Sequence, residues 1–354
     1  MISFDTKDFE RALSIVSRVI QRSTLPVLST VRVQADEHGA RLIGTNMEAQ
    51  ITVEIEPQGK KLDIDVCIPL DRLNAAMKVA GPTITIKAGA GKANVKTGSS
   101  NINPPAQLGA DMPLMDIEGD ALVEFHSDWL AGAIERVDSF AGKNDARRYL
   151  NSVFLESTGK ELVAVATNGH ALALVRTPAQ VPEFDAIVHE AHVGMLSKLG
   201  PATYTVYENR ISARADGVEI IAKLIDGRYL DYRRVVHDGG KNAVTLNRAQ
   251  FLSAASVAAS FSAGANKKIT PAVRIDGRKG DVIVSNTGND EFQMAVPTTD
   301  PKGMPIDCGL NAAYLSNTLK QLSGETVTLQ WQDGLASFLI TEDEFTAVIM
   351  PLKI

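Results

Sequence analysis

Phe4-Asp5-Thr6-Lys7-Asp8-Phe9-Glu10-Arg11-Ala12 returns as Phe125-His126-Ser127-Asp128-Trp129-Leu130-Ala131-Gly132-Ala133, and again as Leu246-Asn247-Arg248-Ala249-Gln250-Phe251-Leu252-Ser253-Ala254. Each copy sets an apolar residue, a second apolar residue five positions on and an alanine three after that, and successive copies are 121 residues apart. A solenoid unit is roughly 20–50 residues long, so a period of this length belongs to a domain.

Further landmarks keep the same order. A strand and turn reads Leu42-Ile43-Gly44-Thr45-Asn46, then Val163-Ala164-Val165-Ala166-Thr167-Asn168-Gly169, then Val282-Ile283-Val284-Ser285-Asn286-Thr287-Gly288. A second helix opens at Ile68-Pro69, Val188-His189 and Leu310-Asn311, carries Lys78, Lys198 or Lys320, and is expected to stop at Gly81, Gly200 or Gly324. An alternating strand follows: Thr83-Ile84-Thr85-Ile86, Thr203-Tyr204-Thr205-Val206, Thr326-Val327-Thr328-Leu329. The pattern predicts an α+β chain of three topologically equivalent domains, 1–120, 121–242 and 243–354, each with two helices packed on antiparallel β-sheets.

At 44% apolar and 22% charged residues the composition is that of a globular chain, and with aromatics at 5% its cores must be aliphatic. No apolar run approaches the roughly 20 residues of a membrane span, and Met1-Ile2-Ser3-Phe4-Asp5 lacks the pattern of a signal peptide. The expected setting is the reducing cytoplasm, with Cys67 and Cys308 as small buried hydrophobes rather than a disulfide or metal site.

The net charge of −6 argues against nucleic acid only weakly, because phosphate affinity follows where the cations sit. Lys7, Arg11, Arg18 and Arg22 share one helical face, opposite Phe9, Ala12, Val16 and Val19. Repeat two offers Arg136, Lys143, Arg147 and Arg148; repeat three offers Arg248, Lys267 and Lys268; the second helices add Arg72 and the three lysines. Recurrence at equivalent places predicts a shared basic surface.

Catalytic patterns fail on inspection. In His189-Glu190-Ala191-His192 the histidines are three apart, not the four of a zinc-protease helix. Gly89-Ala90-Gly91-Lys92-Ala93 lacks the first glycine and the hydroxyl of a phosphate loop and lies in strand sequence, so a hairpin turn is expected. His170 sits in a suggestive turn with no recognisable partner acid or nucleophile. The reading is a non-enzymatic protein without cofactor, metal or catalytic residue.

Ala166-Thr167-Asn168-Gly169-His170-Ala171-Leu172-Ala173 resembles the Ala-Thr-Asp-Gly-His-Arg-Leu-Ala segment of the bacterial DNA polymerase III β subunit, the sliding-clamp family. Arg148-Tyr149-Leu150-Asn151 precedes it at the family's distance. Asp226-Gly227-Arg228-Tyr229-Leu230-Asp231-Tyr232-Arg233-Arg234-Val235 is similar to the family's Asp-Gly-Arg-Phe-Pro-Asp-Tyr-Arg-Arg-Val. Thr24-Leu25-Pro26-Val27-Leu28 and Met350-Pro351-Leu352-Lys353-Ile354 match its two ends.

The resemblance implies three clamp domains, a head-to-tail homodimer closed into a ring with helices lining the hole, and sequence-independent binding of double-stranded DNA. Implied partners are the DNA polymerase III α subunit, a clamp loader and other proteins carrying a clamp-binding motif. It places Arg22, Arg72, Arg147, Tyr149, Lys267 and Lys268 toward DNA, and the recurring Lys78, Lys198 and Lys320 are expected on the same surface. It carries the peptide pocket onto Leu150, Thr167, Gly169, His170, Leu172, Leu230, Arg234, Val235, Leu335, Ser337, Val348, Met350, Pro351 and Leu352, and opposed dimer faces onto Ile102 and Phe261. Asn168, Ala171 and Leu230 stand where the family has Asp, Arg and Pro, so the pocket is expected to keep its apolar floor with a weaker rim. The alternative reading is a clamp-fold binding module or an accessory clamp.

Overall fold

Every repeat opens on a strand that ends in a helix cap. The computed structural model describes residues 1–354 except 38, 60–62, 90, 118, 264–271, 279–280, 287–291, 299–305, 333–335 and 354, and for 262, 263 and 278 it describes the backbone alone. Asp5, the last residue of β1 (Ile2–Asp5), accepts from the backbone N–H of Lys7 at 2.8 Å and so caps α1 (Thr6–Val16). Ser127 closes β9 (Val123–Ser127) and accepts from Leu130 N at 3.0 Å, the first residue of α3 (Leu130–Val137). Asn247 closes β17 (Asn242–Asn247) and accepts from Gln250 N at 2.9 Å in α5 (Arg248–Ala263). A cap of this kind stabilises a helix by about 1 kcal/mol.

Apart from two two-residue strands of repeat one, Pro57–Gln58 and Gln107–Leu108, the remaining strands and α-helices follow in one order three times. Repeat one continues with β2 (Thr30–Ala35), β3 (Ala40–Thr45), β4 (Ala49–Ile55), β5 (Ile64–Pro69), α2 (Leu70–Met77), β6 (Thr83–Gly89), β7 (Lys92–Thr97) and β8 (Ser100–Ile102). Repeat two continues with β10 (Ser152–Ser157), β11 (Glu161–Thr167), β12 (Ala171–Pro178), β13 (Phe184–His189), α4 (Glu190–Leu196), β14 (Ala202–Val206), β15 (Arg210–Ala215) and β16 (Val218–Lys223). Repeat three continues with β18 (Ala272–Arg278), β19 (Asp281–Asn286), β20 (Gln293–Pro297), β21 (Ile306–Asn311), α6 (Ala312–Lys320), β22 (Thr326–Trp331), β23 (Phe338–Glu342) and β24 (Phe345–Ile349).

All the strand pairs are antiparallel. Within each repeat four strands run in the order β5-β2-β3-β4, β13-β10-β11-β12 or β21-β18-β19-β20, and the others as β1-β6-β7-β8, β9-β14-β15-β16 or β17-β22-β23-β24. Two pairs of these sheets then join edge to edge across repeats. β4 pairs with β16 through Ile51↔Ile220 and Val53↔Val218, and β12 pairs with β24 through Leu172↔Val348 and Ala173↔Ala347. Sheet continuity therefore cuts the chain into two compact units, 1–131 with 191–224 and 132–190 with 225–354, each holding one half of the middle repeat.

Apolar residues at helical spacing bury α1 through Phe9, Ala12, Leu13 and Val16, each contributing on the order of 1–3 kcal/mol by leaving water. In α5 the buried face is Phe251, Ala254, Ala255 and Ala258, and the three small alanines let α6 and β19 approach closely. Cys67 and Cys308 are buried free thiols, and burial pushes them up to about 11 and about 12. Gly89 pairs with Lys92 across a hairpin, with Gly91 at φ +70°, so that stretch is the turn its sequence implies.

The second helices correct one expectation. They end at Met77, Leu196 and Lys320, each four residues before the glycine named as its stop, and of Gly81, Gly200 and Gly324 only Gly200 has a positive φ, +73°. After Met77 the chain tightens into turns in which Val79 N donates to Ala76 O and Ala80 N to Met77 O. Gly81 is required for another reason: a Cβ there would lie 2.7 Å from the backbone of Gly98. No helix among the described residues is long and apolar enough to cross a membrane.

Candidate functional site

The turn between β11 and β12 is built by its own side chains. Thr167 Oγ1 donates to Ala171 O at 2.7 Å and accepts from Gly169 N at 3.1 Å. Asn168 Oδ1 accepts from His170 N and Ala171 N at 2.9 and 3.0 Å, the role an aspartate would fill. Gly169 supplies the φ of +86° that this turn demands. The last strand, β24, runs beside β12, and just past its end Met350 N donates to His170 O at 2.9 Å. The tail is tied again where Leu352 N donates to Gly309 O at 2.8 Å.

Beneath this corner lies an apolar cluster that includes Phe154, Val165, Leu172, Tyr229, Leu339 and Val348, with Tyr149, Leu230 and Val236 packed against it. Phe154 stacks on Tyr229 at 4.7 Å and Tyr149 meets Tyr229 edge-on at 6.2 Å, so three of the chain's six tyrosines (149, 229 and 232) stand in one aromatic layer. Glu156 anchors the connector above them, accepting from Tyr232 Oη and Arg233 Nη2, both at 2.7 Å.

The predicted pocket residues thus fall in one compact unit, at two depths. Leu150, Thr167, Leu172 and Val348 are buried, the last two to 1% exposure, whereas Val235 and Met350 present 38% and 43% of their surface. Gly169, His170 and Arg234 are exposed, Leu230, Ser337, Pro351 and Leu352 half-buried, and Leu335 lies outside the described residues. Arg147 stands at the rim: its Nη2 would lie 3.7 Å from a Cβ on Gly169. A 3.0 Å ion pair holds it to Asp145, whose carboxyl the Arg147 hydrogen bond keeps down at about 2. Tyr149, expected toward DNA, is half-buried in the aromatic layer under the same corner.

The expected basic surface divides into exposed and engaged cations. In the first unit Lys7, Arg11, Arg18, Arg22, Arg72 and Lys78 are exposed, although α1 ends at Val16, so Arg18 and Arg22 follow it in turn and coil instead of extending its face. A hollow of about 120 Å³ is lined by Arg11, Arg18 and Lys198, which joins repeat two's lysine to repeat one's helix. Lys320 is exposed at the end of α6, and Lys267 and Lys268 lie outside the described residues. Two cations read as basic surface are structural instead. Arg136 pairs with Glu344 at 2.9 Å and lies over the Phe345 ring, while Arg248 donates to Gly324 O and Leu319 O at the end of α6.

The profile of the DNA polymerase III beta subunit, N-terminal domain, matches residues 1–116, and that of its central domain matches 124–231, together well over half the chain. The chain belongs to the DNA polymerase III β-subunit family, the bacterial sliding clamps. It is 28% identical to the beta sliding clamp of Pseudomonas putida over 97% of both chains, and 25% identical to that of Escherichia coli K12 over 94% of both. The Pseudomonas aeruginosa sliding clamp, solved bound to griselimycin, superposes with a TM-score of 0.90 over the whole of both chains at 26% identity. The family function, that of a DNA sliding clamp and non-catalytic processivity subunit of the polymerase, applies to this chain.

Within this clamp fold, Ile102 lies half-buried on β8, and Phe261 is 44% exposed with its ring stacked on Phe292 at 6.0 Å. Phe292, Phe154, Glu156 and Asp145 escaped sequence reading. The clustering of scarce tyrosines at 149, 229 and 232 was the one available signal for the aromatic layer; Glu156 and Asp145 gave none, because their partners are 77 and 2 residues away with no fixed pattern.

Proposed function

We propose that two copies of this chain close head to tail into a ring around duplex DNA, each copy divided into clamp domains 1–120, 121–242 and 243–354. One observation carries the proposal. The edge-to-edge joins β4–β16 and β12–β24 each match the last strand of one repeat to the fourth strand of the repeat before it, and they leave β8 and β20 as sheet ends with no such neighbour among the described residues. Adding β8 of one copy to β20 of another repeats the same join, brings Ile102 toward Phe261 and Phe292, and removes two exposed edges. A mass in solution of about twice 38.0 kDa is expected, and a strict monomer at micromolar concentration overturns the ring.

The exposed cations Arg22, Arg72, Lys78 and Lys198, with Arg11 and Arg18, support contact with phosphate and not with base edges, as sliding requires. Binding should be sequence-independent, with a log–log salt slope of about 0.9 per phosphate neutralised. Replacing Arg22 and Lys78 with alanine should weaken it equally on any sequence, and an effect confined to one sequence counts against the reading. Retention on nicked circular DNA that is lost on linearisation, with a loader supplied, tests encirclement.

The Gly169–His170 turn, the connector at Leu230–Val235 and the Met350–Leu352 tail form the seat for a short apolar motif of the polymerase α subunit, the loader and other partners, in the cytoplasm. Exposed Met350 and Val235 over a buried apolar layer suit such a motif. Affinity near micromolar is expected, about −8 kcal/mol.

A further inference from the structure

A second cleft opens on the sheet face that carries the peptide seat. It has a volume of about 430 Å³, with Val163, Leu174 and Leu339 as its floor and the connector residues Tyr232, Val236 and His237 as one wall. The floor belongs to the same apolar cluster as Leu172 and Val348. Leu172 and Leu174 are alternate residues of β12, so they share a face about 7 Å apart, a span two residues of extended peptide cover.

Two polar groups in this cleft lack partners among the described residues. Arg176 forms no ion pair among the described residues, and Nε2 of His237 is buried without a hydrogen-bond partner. Such a buried ring nitrogen is unfavourable unless something occupies the space before it. Glu161 and Asp238 also line the cleft, with the amide of Gln330 and the hydroxyls of Thr341 and Thr346. Both signs of charge, with neutral hydrogen-bonding groups between, suit a polypeptide segment better than a bare anion.

We propose that this cleft seats the segment flanking a partner's apolar motif, with an acidic side chain of that segment held by Arg176 and His237. The proposal rests on the peptide seat described above. The test is fluorescence anisotropy with three labelled peptides: the motif alone, the motif with a four-residue glutamate-containing flank, and the same flank with glutamine, the flank being placed in turn on either side of the motif. The glutamate flank on one side should bind about five- to tenfold tighter than its glutamine counterpart. Arg176→Glu and His237→Ala should abolish that gain, and Arg176→Lys should keep part of it. Motif-only affinity should stay within twofold and the thermal midpoint unchanged. Equal affinity of the two flanked peptides on both sides, or a gain that survives Arg176→Glu, overturns the proposal while leaving the seat intact. A motif-only peptide that fails to bind overturns the seat and this proposal with it.

Discussion

Two corners of the molecule share one backbone and differ in three side chains. In the first unit Thr45 Oγ1 donates to Ala49 O at 2.9 Å, Asn46 Oδ1 accepts from Glu48 N and Ala49 N, and Lys223 N donates to Glu48 O at 2.9 Å. In the second unit Thr167, Asn168 and Met350 repeat every one of these bonds around His170 and Ala171. The first corner is closed by a 3.1 Å ion pair between Lys223 and Glu48. At the corresponding positions the second has Met350 and His170, an exposed thioether and an imidazole over an aromatic layer. The join is a structural device of the repeat; the open apolar corner is what sets the proposed peptide seat apart from its sealed copy.

The strongest way to break this difference is to transplant it. His170→Glu with Met350→Lys should close the second corner as the first is closed, weakening a motif peptide at least tenfold, about 1.4 kcal/mol. Global stability should move by less than about 1 kcal/mol, since an exposed ion pair contributes little. Deleting Met350 to Ile354 should abolish peptide binding and leave the dimer mass unchanged; undiminished binding by the truncated chain would place the seat elsewhere.

A smaller effect separates the turns themselves. Met47 holds φ +72° where Gly169 holds +86°. Met47→Gly should stabilise the chain by up to about 1 kcal/mol by relieving a left-handed side-chain conformation, and Gly169→Ala should destabilise it by about the same. Urea midpoints of the two variants decide this, and shifts of the same sign would show that the turns are not equivalent.

The smallest effect is a pH dependence at the rim. Asp145 is held at about 2, below its ordinary value, chiefly by its hydrogen bond from Arg147. A lowered carboxylate stabilises the fold above its unfolded pKa and loses that contribution as pH falls through the folded value. The difference in thermal midpoint between the native chain and Asp145→Asn should therefore be constant above about pH 5 and vanish toward pH 2. A difference that grows on acidification would show that the Arg147 pair is not what holds this segment.

Much of this was legible because helices and strands answer to local spacing. The three first helices follow from their apolar offsets, and Asp5, Ser127 and Asn247 are caps whose residue types alone favour that place. The helix stops were misjudged because a glycine records only that some close approach exists: Gly81 makes room for Gly98, a contact 17 residues away in the chain. The basic residues were legible as charges but not as surface. Arg136 and Arg248 look like their neighbours in sequence and are engaged by Glu344 and by the carbonyl end of α6, partners 208 and 71 to 76 residues distant.

The sequence by itself determined the period, the succession of first helix, strand and turn, second helix and alternating strand in each repeat, and the apolar faces, because each is set by interactions within a few residues. Only the tertiary structure decided where one repeat ends physically. Strand edges carry unpaired backbone groups that must find partners, and β4 and β12 find them on β16 and β24, 165 and 174 residues away by Val53↔Val218 and Ala173↔Ala347, to leave two sheets that run through repeat boundaries. It likewise decided that of two equal corners one is sealed by Glu48 and Lys223 and the other is left open by His170 and Met350, since that distinction exists only once the distant strands are side by side.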